Sequence, residues 1–411
     1  MTDISGRKLT FEYSDKALLT KITDGAGSSQ PKVFAFTYDA TQGNKNVKLV
    51  QADDPRGKAT KLDYFAPKTG DDPKYHWWTK TITDRLNEAT GFGYGVDAGN
   101  AKFTDTTVTD AESHDAKYVT DDFGRPVQTT NAKSQTSKMG WDADNNVTYL
   151  EEDNGAKTAY CYDQKTGYPL WSRDAENNKA GVPPQSDCAP GTYPANSSQY
   201  SYQTRLDGFS ADLFTKTSPE GRKWQFAYDS FGNLKTVTDP KGVATATAGD
   251  YTTSYEYDAF GQLTKATDAN HHATVNSAFG PTGYPDRITD ALQKSTDFVY
   301  DERGQVTQVT DALGKKTTQT YDTYGRPLVN TVPKDQSAGT LITTPAPVYD
   351  ANDNVTTSTT PSGAVSTAVY DSADQVTSAT GPANNQTSPR TSTYTYDKVG
   401  NLRTTTEPKG S

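Results

Sequence analysis

Short runs rich in Thr, Val and Tyr, cut at regular intervals by Asp-x-x-Gly, make up most of this chain. The stretch from Phe298 to Val329 reads FVYDERGQVTQVTDALGKKTTQTYDTYGRPLV. Its phrases Tyr300-Asp301-Glu302-Arg303-Gly304 and Tyr321-Asp322-Thr323-Tyr324-Gly325 begin 21 residues apart, with Asp311-Ala312-Leu313-Gly314 between them. Asp at the first position of a turn accepts hydrogen bonds from backbone amides two residues on, and Gly at the fourth adopts positive φ without a clash. A type I turn followed by such a glycine is a common hairpin connection. The flanking runs, Gln305-Val306-Thr307-Gln308-Val309-Thr310 and Thr317-Thr318-Gln319-Thr320-Tyr321, suit a pleated, half-buried surface. Each unit therefore predicts two short antiparallel strands and two tight turns. The parity is imperfect: Leu234 and Val237, or Val306 and Val309, would face opposite sides of a flat strand. A bulge beside the glycine and burial on both faces are the two ways to reconcile this.

From about residue 117 the register is regular. The full signature stands at Tyr228, Asp229 and Gly232, at Tyr257, Asp258 and Gly261, and at Tyr300, Asp301 and Gly304. It returns at Tyr321, Asp322 and Gly325 and at Tyr396, Asp397 and Gly400. Phe279-Gly280 fills the position 21 residues before Asp301. Asp353 and Asp374 replace the turn glycine, as Asp tolerates left-handed backbone. Residues 1–116 carry a degenerate form, in Phe11-Glu12-Tyr13-Ser14-Asp15, Phe36-Thr37-Tyr38-Asp39 and Asp54-Pro55-Arg56-Gly57. The division expected is thus a degenerate 1–116 and a regular 117–411, with a loop insertion at about 164–200. Gly181-Val182-Pro183-Pro184 and Ala189-Pro190-Gly191 rule out continuous strand in that insertion. Asp84-Arg85-Leu86-Asn87-Glu88 is the place expected to make a turn or two of helix. Neighbouring units are near-copies, which disfavours propeller blades of two units each. Paired Asp-x-x-Gly turns favour hairpins over a parallel β-helix.

Composition agrees with a thin layered sheet. Apolar residues are 32%, low for a globular chain, yet aromatics are 11%, which disordered chains lack. The net charge of −10, with no Lys/Arg run, argues against nucleic acid as a partner. No apolar stretch approaches the ~18 residues of a membrane span. Met1-Thr2-Asp3-Ile4-Ser5-Gly6-Arg7 lacks the apolar core of a secretory signal. The last residues, Pro408-Lys409-Gly410-Ser411, fall inside a turn phrase, as expected of a segment of a longer protein. Cys161 and Cys188 flank the Pro-rich insertion; two unrelated thiols and a disulfide of an exported protein are both open.

Candidate chemistry is sparse. The histidines are His76, His114, His271 and His272; His271-His272 and His114 fall in turns and are expected to be solvated. Asp142-Ala143-Asp144-Asn145-Asn146 begins like a calcium loop, but Val147 sits where the sixth-position glycine belongs. The periodic aspartates are turn formers rather than a catalytic carboxylate pair, which would break the pattern. No metal, cofactor or catalytic residue is expected. Tyr75, His76, Trp77 and Trp78, the most aromatic point, form a candidate stacking surface for sugar rings, against the alternative of sheet core. The periodic Tyr would also provide a Tyr and Thr wall able to touch a cargo without tight specificity.

The 21-residue Tyr-Asp-x-x-Gly repeat resembles the Rhs/YD-repeat family. Tyr228-Asp229-Ser230-Phe231-Gly232-Asn233-Leu234, Val237-Thr238-Asp239-Pro240-Lys241-Gly242 and Tyr321-Asp322-Thr323-Tyr324-Gly325-Arg326-Pro327-Leu328 carry the likeness. The resemblance implies an all-β hairpin array curling into a spiral or partial hollow shell. In bacterial Rhs toxins and insecticidal toxin complexes such a shell encloses a C-terminal toxin domain; in teneurins a similar barrel belongs to an adhesion ectodomain. The expectation is a non-enzymatic shell segment of a large exported protein, whose partner is its own C-terminal cargo. The alternative is an extracellular adhesion or carbohydrate-binding module whose partner is a cell-surface glycan or protein.

Overall fold

A computed structural model describes residues 1–41, 47–66, 77–97, 104–178, 181, 185–204, 212–245, 247–334, 339–382 and 389–408. Among them are 33 β-strands, a five-residue α-helix (Pro240–Ala244) and a short 3-10 turn (Gln185–Asp187). Twenty-seven strands, from Leu9 to Thr344, belong to one sheet, and six, from Val348 to Thr406, to a second. The protein is all-β, and the described pairings are antiparallel hairpins between strands consecutive in sequence. The chain divides into two compact units, one of residues 1–94, 107–115 and 296–411, the other of 95–106 and 116–295.

A bulge accounts for the three-residue spacing. In the hairpin of Lys223–Tyr228 with Leu234–Thr238, Tyr228 opposes Leu234 and Ala227 opposes Thr236, so Lys235 is left without a partner. Phe226 opposes Val237, which puts Leu234 and Val237 on the face of Phe226 and Tyr228. The copy at Tyr300 repeats this: Tyr300 opposes Val306, Phe298 opposes Val309, and the Phe298 and Tyr300 rings stack at 6.3 Å. Equivalent register shifts stand at Tyr13, Tyr38, Tyr64, Trp141, Tyr162, Tyr257, Tyr370 and Tyr396.

The turns are built by their aspartates. Asp301 Oδ1 accepts from the amides of Arg303 and Gln305, each at 2.9 Å, and the Gly304 amide donates to the Asp301 carbonyl at 3.0 Å. Asp229, Asp258, Asp311, Asp322 and Asp397 do the same. Gly304 and Gly325 sit at φ 80°, and Asp353 and Asp374 occupy the same position at 72° and 67°. The segment at 84–88 is a hairpin turn, not the expected helical turn. Asp84 Oδ1 takes the amides of Leu86 and Glu88, and Asn87 fills the left-handed position at φ 66°. Asp first and Asn fourth supply the same turn chemistry as Asp-x-x-Gly. At Asp239-Pro240-Lys241-Gly242 the chain instead starts the helix, with Asp239 as N-cap and Pro240 at its first turn.

The signature aromatic bonds each hairpin to the one before. Its hydroxyl donates to the carbonyl of the residue that opposes the preceding signature residue: Tyr162 to Val147 (2.9 Å), Tyr257 to Leu234 (3.0 Å), Tyr321 to Val306 (2.9 Å) and Tyr370 to Val355 (3.0 Å). Trp141 keeps the bond through Nε1, 2.7 Å from the Pro126 carbonyl. Phe279 has no hydroxyl, and there Asn276 Nδ2 donates to the corresponding carbonyl, that of Leu263, at 3.0 Å. These hydroxyls are thus spent on backbone, which limits the cargo-facing use expected of the tyrosines.

The stretch 164–200 is not all loop: Pro169–Arg173 is a strand of the sheet paired with Lys157–Tyr162, and the described residues of the insertion after it pack on the sheet. Cys161 and Cys188 are disulfide-bonded, with Cα atoms 5.6 Å apart. With Ala159, Leu170 and Trp171 they form a buried apolar cluster, against which Tyr193 packs. Gln185 Nε2 donates to the Tyr160 carbonyl at 2.9 Å, tying the insertion to a strand edge.

Candidate functional site

Within the unit of residues 1–94, 107–115 and 296–411, two rows of hairpin turns meet in order. One row consists of turns 3–6, 25–28, 54–57, 84–87 and 110–113; the other of 301–304, 322–325, 350–353, 371–374 and 397–400. Ser5 Oγ bonds to Arg303 Nη2 at one end, and Glu112 Oε1 accepts the Lys398 amide at 2.9 Å at the other.

Tyr324 occupies the first strong point of this seam. Its hydroxyl donates to the Gln30 carbonyl at 2.5 Å and lies 3.4 Å from the Asp24 carbonyl. Gly25, at φ +70°, makes the room: a Cβ there would collide with the Tyr324 hydroxyl. Three cations surround the ring, Lys32 Nζ at 4.4 Å and the guanidinium carbons of Arg326 and Arg7 at 5.1 and 5.2 Å. Each cation has a carboxylate. Arg7 pairs with Asp24 through two nitrogens, Lys32 Nζ lies 2.5 Å from Asp353, and Arg326 contacts Asp322 at 2.6 Å and Asp353 at 2.8 Å.

The second strong point joins three aspartates to two arginines. Arg85 Nη1 contacts Asp54 Oδ2 at 2.9 Å and Asp374 Oδ2 at 2.6 Å, and Arg56 Nη2 contacts Asp374 Oδ1 at 2.6 Å. Asn352 Nδ2 donates to Asp54 at 2.7 Å; Asn354 Nδ2 bridges Asp374 (2.6 Å) and Asp350 (3.0 Å). The side chains of Asp54 and Arg56 are 14% and 16% exposed, so these pairs are shielded more than surface pairs are. Burial pushes the Asp54 and Asp374 carboxyls up. The donors outweigh it (the Lys58 amide, Asn352 and Arg85 for Asp54; Asn354, Arg85 and Asn352 for Asp374) and hold both below 3.8. For Arg85, burial opposes the charge, and Asp54 and Asp374 raise its pKa above the ordinary value.

This arrangement suits fastening rather than reaction. Its carboxylates are matched by cations and by backbone amides, so no spare base stands beside a nucleophile. Among the described residues no three His, Cys, Asp or Glu are grouped to hold a metal, and no helix is long and apolar enough to cross a membrane. Asp142, the start of the calcium-like segment, gives Oδ1 to the amides of Asp144 and Asn146 and Oδ2 to Asn146 Nδ2. His114 and His272 lie in exposed turns beside Asp110 and Asp268.

Of the aromatic surface, Tyr75 and His76 lie outside the described residues. Trp77, at φ 69°, is half-buried under Lys48 Nζ, 3.7 Å from its ring centroid, and its amide donates to the Phe65 carbonyl. Trp78 packs edge-on against Tyr94 at 4.6 Å. The seam residues were not singled out from sequence. The signal was the third turn position, which holds Arg303 and Tyr324 at two successive turns of one row.

The RHS-repeat family profile matches residues 213–245, 243–273, 287–315, 300–333, 349–386 and 370–411. The C-terminal half of the chain carries RHS repeats. The fold of the chain is shared with solved structures of low identity. A TcdB2-TccC3 structure without its hypervariable C-terminal region is 12% identical, matches 98% of this chain and 22% of that one, and has a TM-score of 0.68. A TcdB2-TccC3-TEV structure is 17% identical over 98% of this chain and 23% of that one, with a TM-score of 0.55. A Photorhabdus luminescens Tc holotoxin pore with a substituted TccC3 is 15% identical over 97% and 24%, at 0.50. The chain thus spans less than a quarter of the length of these relatives. A search of the curated proteins found no match. The RHS profile begins at residue 213, yet earlier hairpins carry the same bulge and the same aromatic bond, as at Trp141. One row of the seam comes from profile-matched repeats and the other from residues 1–113.

Proposed function

We propose that this RHS-repeat chain is a non-enzymatic wall segment of a larger exported protein, enclosing or presenting a C-terminal cargo domain. The observation that carries the reading is the hairpin-repeat fold, matched over 98% of the chain by a TcdB2-TccC3 structure. Three features support it. The repeat aspartates are committed to turn amides and the signature tyrosines to backbone carbonyls, which fits a structural role. The seam fastens hairpins about 300 residues apart in sequence, as a wall requires. The Cys161–Cys188 disulfide suits an oxidising compartment.

Protease protection is the test. A destabilised passenger joined after Ser411 should resist trypsin while the sheet stays folded. A passenger cut as fast as when free, with β-type circular dichroism intact, would remove the enclosing role. In the same preparation, glycan binding abolished by Trp77→Ala and Trp78→Ala would favour the adhesion alternative.

A further inference from the structure

A row of side chains that is largely apolar in other copies turns polar between Tyr118 and Glu152. Tyr118 stands two residues before the signature position, as Phe226 and Phe298 do. Phe298 opposes Val309, and Val309 opposes Thr317; Phe226 opposes Val237, and Val237 opposes Thr253. In the 118 copy, Tyr118 opposes Thr129, Thr129 opposes Ser137, and Ser137 Oγ reaches Glu152 Oε2 at 3.5 Å. Two short hydroxyl side chains thus lie between two longer ones, in a row three strand spacings, about 14 Å, across. The result is an open cavity of about 350 Å³ within the 116–295 unit, walled also by Asn131, Gln135 and Asp153. That volume lies in the range of small-ligand pockets. Its polar groups are unspent. Glu152 opens turn 152–155, but the Ala156 amide goes to Asn154 Oδ1 at 2.8 Å, whereas Asp311 Oδ1 takes the corresponding Lys315 amide. Among the described residues Ser137 alone contacts the Glu152 carboxylate, and the Tyr118 hydroxyl makes no hydrogen bond. Asn131 Nδ2 donates to Gln135 Oε1 and Gln135 Nε2 to Asp153 Oδ2, each at 3.0 Å. Each of these amides keeps a second hydrogen, and Asp153 keeps its other oxygen.

We infer that this cavity binds a pyranose sugar that carries no negative charge. A pyranose has an apolar C–H face and a rim of hydroxyls. The cavity offers an aromatic ring on one wall, amides and carboxylates on the others, and hydroxyls on its floor. The Tyr118 ring, 39% exposed, takes the C–H face. Glu152 and Asp153 accept from sugar hydroxyls, and the free hydrogens of Asn131 and Gln135 donate to sugar oxygens. The spare acceptors are carboxylates, so the ligand must bring donors, and a carboxylated or sulfated sugar is repelled. The site is separate from Trp77 and Trp78, which belong to the other unit, and it does not depend on whether the wall encloses a cargo.

Saturation-transfer NMR on the whole chain tests this, with methyl β-D-glucopyranoside, methyl β-D-galactopyranoside and methyl α-D-mannopyranoside as probes. At least one should bind, and methyl β-D-glucuronide should not. Tyr118→Ala and Glu152→Gln should each weaken binding about tenfold or more, the first by removing the ring and the second by removing a charged acceptor. Tyr118→Phe, which keeps the ring, should hold binding closer to that of the unaltered protein than Tyr118→Ala does. The melting midpoint should not move in these variants, since both side chains are exposed. Silence from all three glycosides, undiminished binding by the Ala and Gln variants, or equal binding of the glucuronide would overturn the proposal.

Discussion

The Tyr324 hydroxyl donates to the Gln30 carbonyl, 294 residues earlier in the chain, through the space that Gly25 leaves open. Two effects then act at Gly25: the strain of a side chain at φ +70° and the collision with Tyr324. Gly25→Ala should destabilise by about 2 kcal/mol or more, and Tyr324→Ala by about 2. In the double variant the collision is gone and the backbone strain remains. The cycle should therefore show a coupling of about 1 kcal/mol, the double being less destabilised than the sum. Urea unfolding of the four proteins measures it; strict additivity would mean that the ring does not sit in this notch.

The seam should survive mild acid. Asp54 and Asp374 are held below 3.8 in the folded chain, so their contribution is fully present above the unfolded value and lost as pH falls through the folded one. Arg85, its pKa raised by Asp54 and Asp374, stays charged throughout. At pH 5, amide exchange of 84–88 and 371–375, corrected for intrinsic rate, should match that at pH 7. As pH falls below the ordinary carboxylate range, protection at these turns should drop before that of the central strands. Loss beginning near pH 6 would place control with a histidine instead.

Reduction should loosen one segment. The Cys161–Cys188 bond closes a span of 27 residues, and chain entropy alone assigns such a loop about 3 to 4 kcal/mol. Leu170 and Trp171 remain under the insertion, so the apolar cluster persists in part. Dithiothreitol, or Cys161→Ser with Cys188→Ser, should speed proteolysis within 174–197 and leave the ladder of hairpins folded. Equal cutting rates before and after reduction would show that packing alone holds the insertion.

Much of the fold was legible because the cause of each turn is local. Asp301 and Gly304 make their turn with their own neighbours, and the repeat spacing sets the strands. The bulge was legible only as a conflict: Leu234 and Val237 needed the same face, and pairing with Tyr228 and Phe226 resolves it. The turn at 84–88 was misread as helix because Asn87 does the work of glycine. The seam was not legible at all. Arg56 and Asp374 look like any exposed turn residues, and nothing local records that turns some 300 positions apart are opposed. The pairing of Cys161 with Cys188 stayed open for the same reason.

The ladder of aromatic hydroxyls makes the sharpest prediction, because the chain contains its own substitution. Where Phe279 replaces tyrosine, Asn276 supplies the missing donor to the Leu263 carbonyl. A half-buried carbonyl that loses its partner costs about 1 kcal/mol. Tyr321→Phe should therefore destabilise by about that amount, since it frees the Val306 carbonyl with little change in ring packing. Asn276→Ala should cost about the same. Phe279→Tyr alone should be nearly neutral, as the carbonyl is already served. Combined with Asn276→Ala, it should restore most of the loss, because a tyrosine at that repeat position reaches the carbonyl in the other hairpins. Thermal and urea unfolding of the four variants decide the matter. Failure of Phe279→Tyr to rescue would mean that Asn276 acts through its own strand, and that the bond is a consequence of the hairpin register rather than a part of what fixes it.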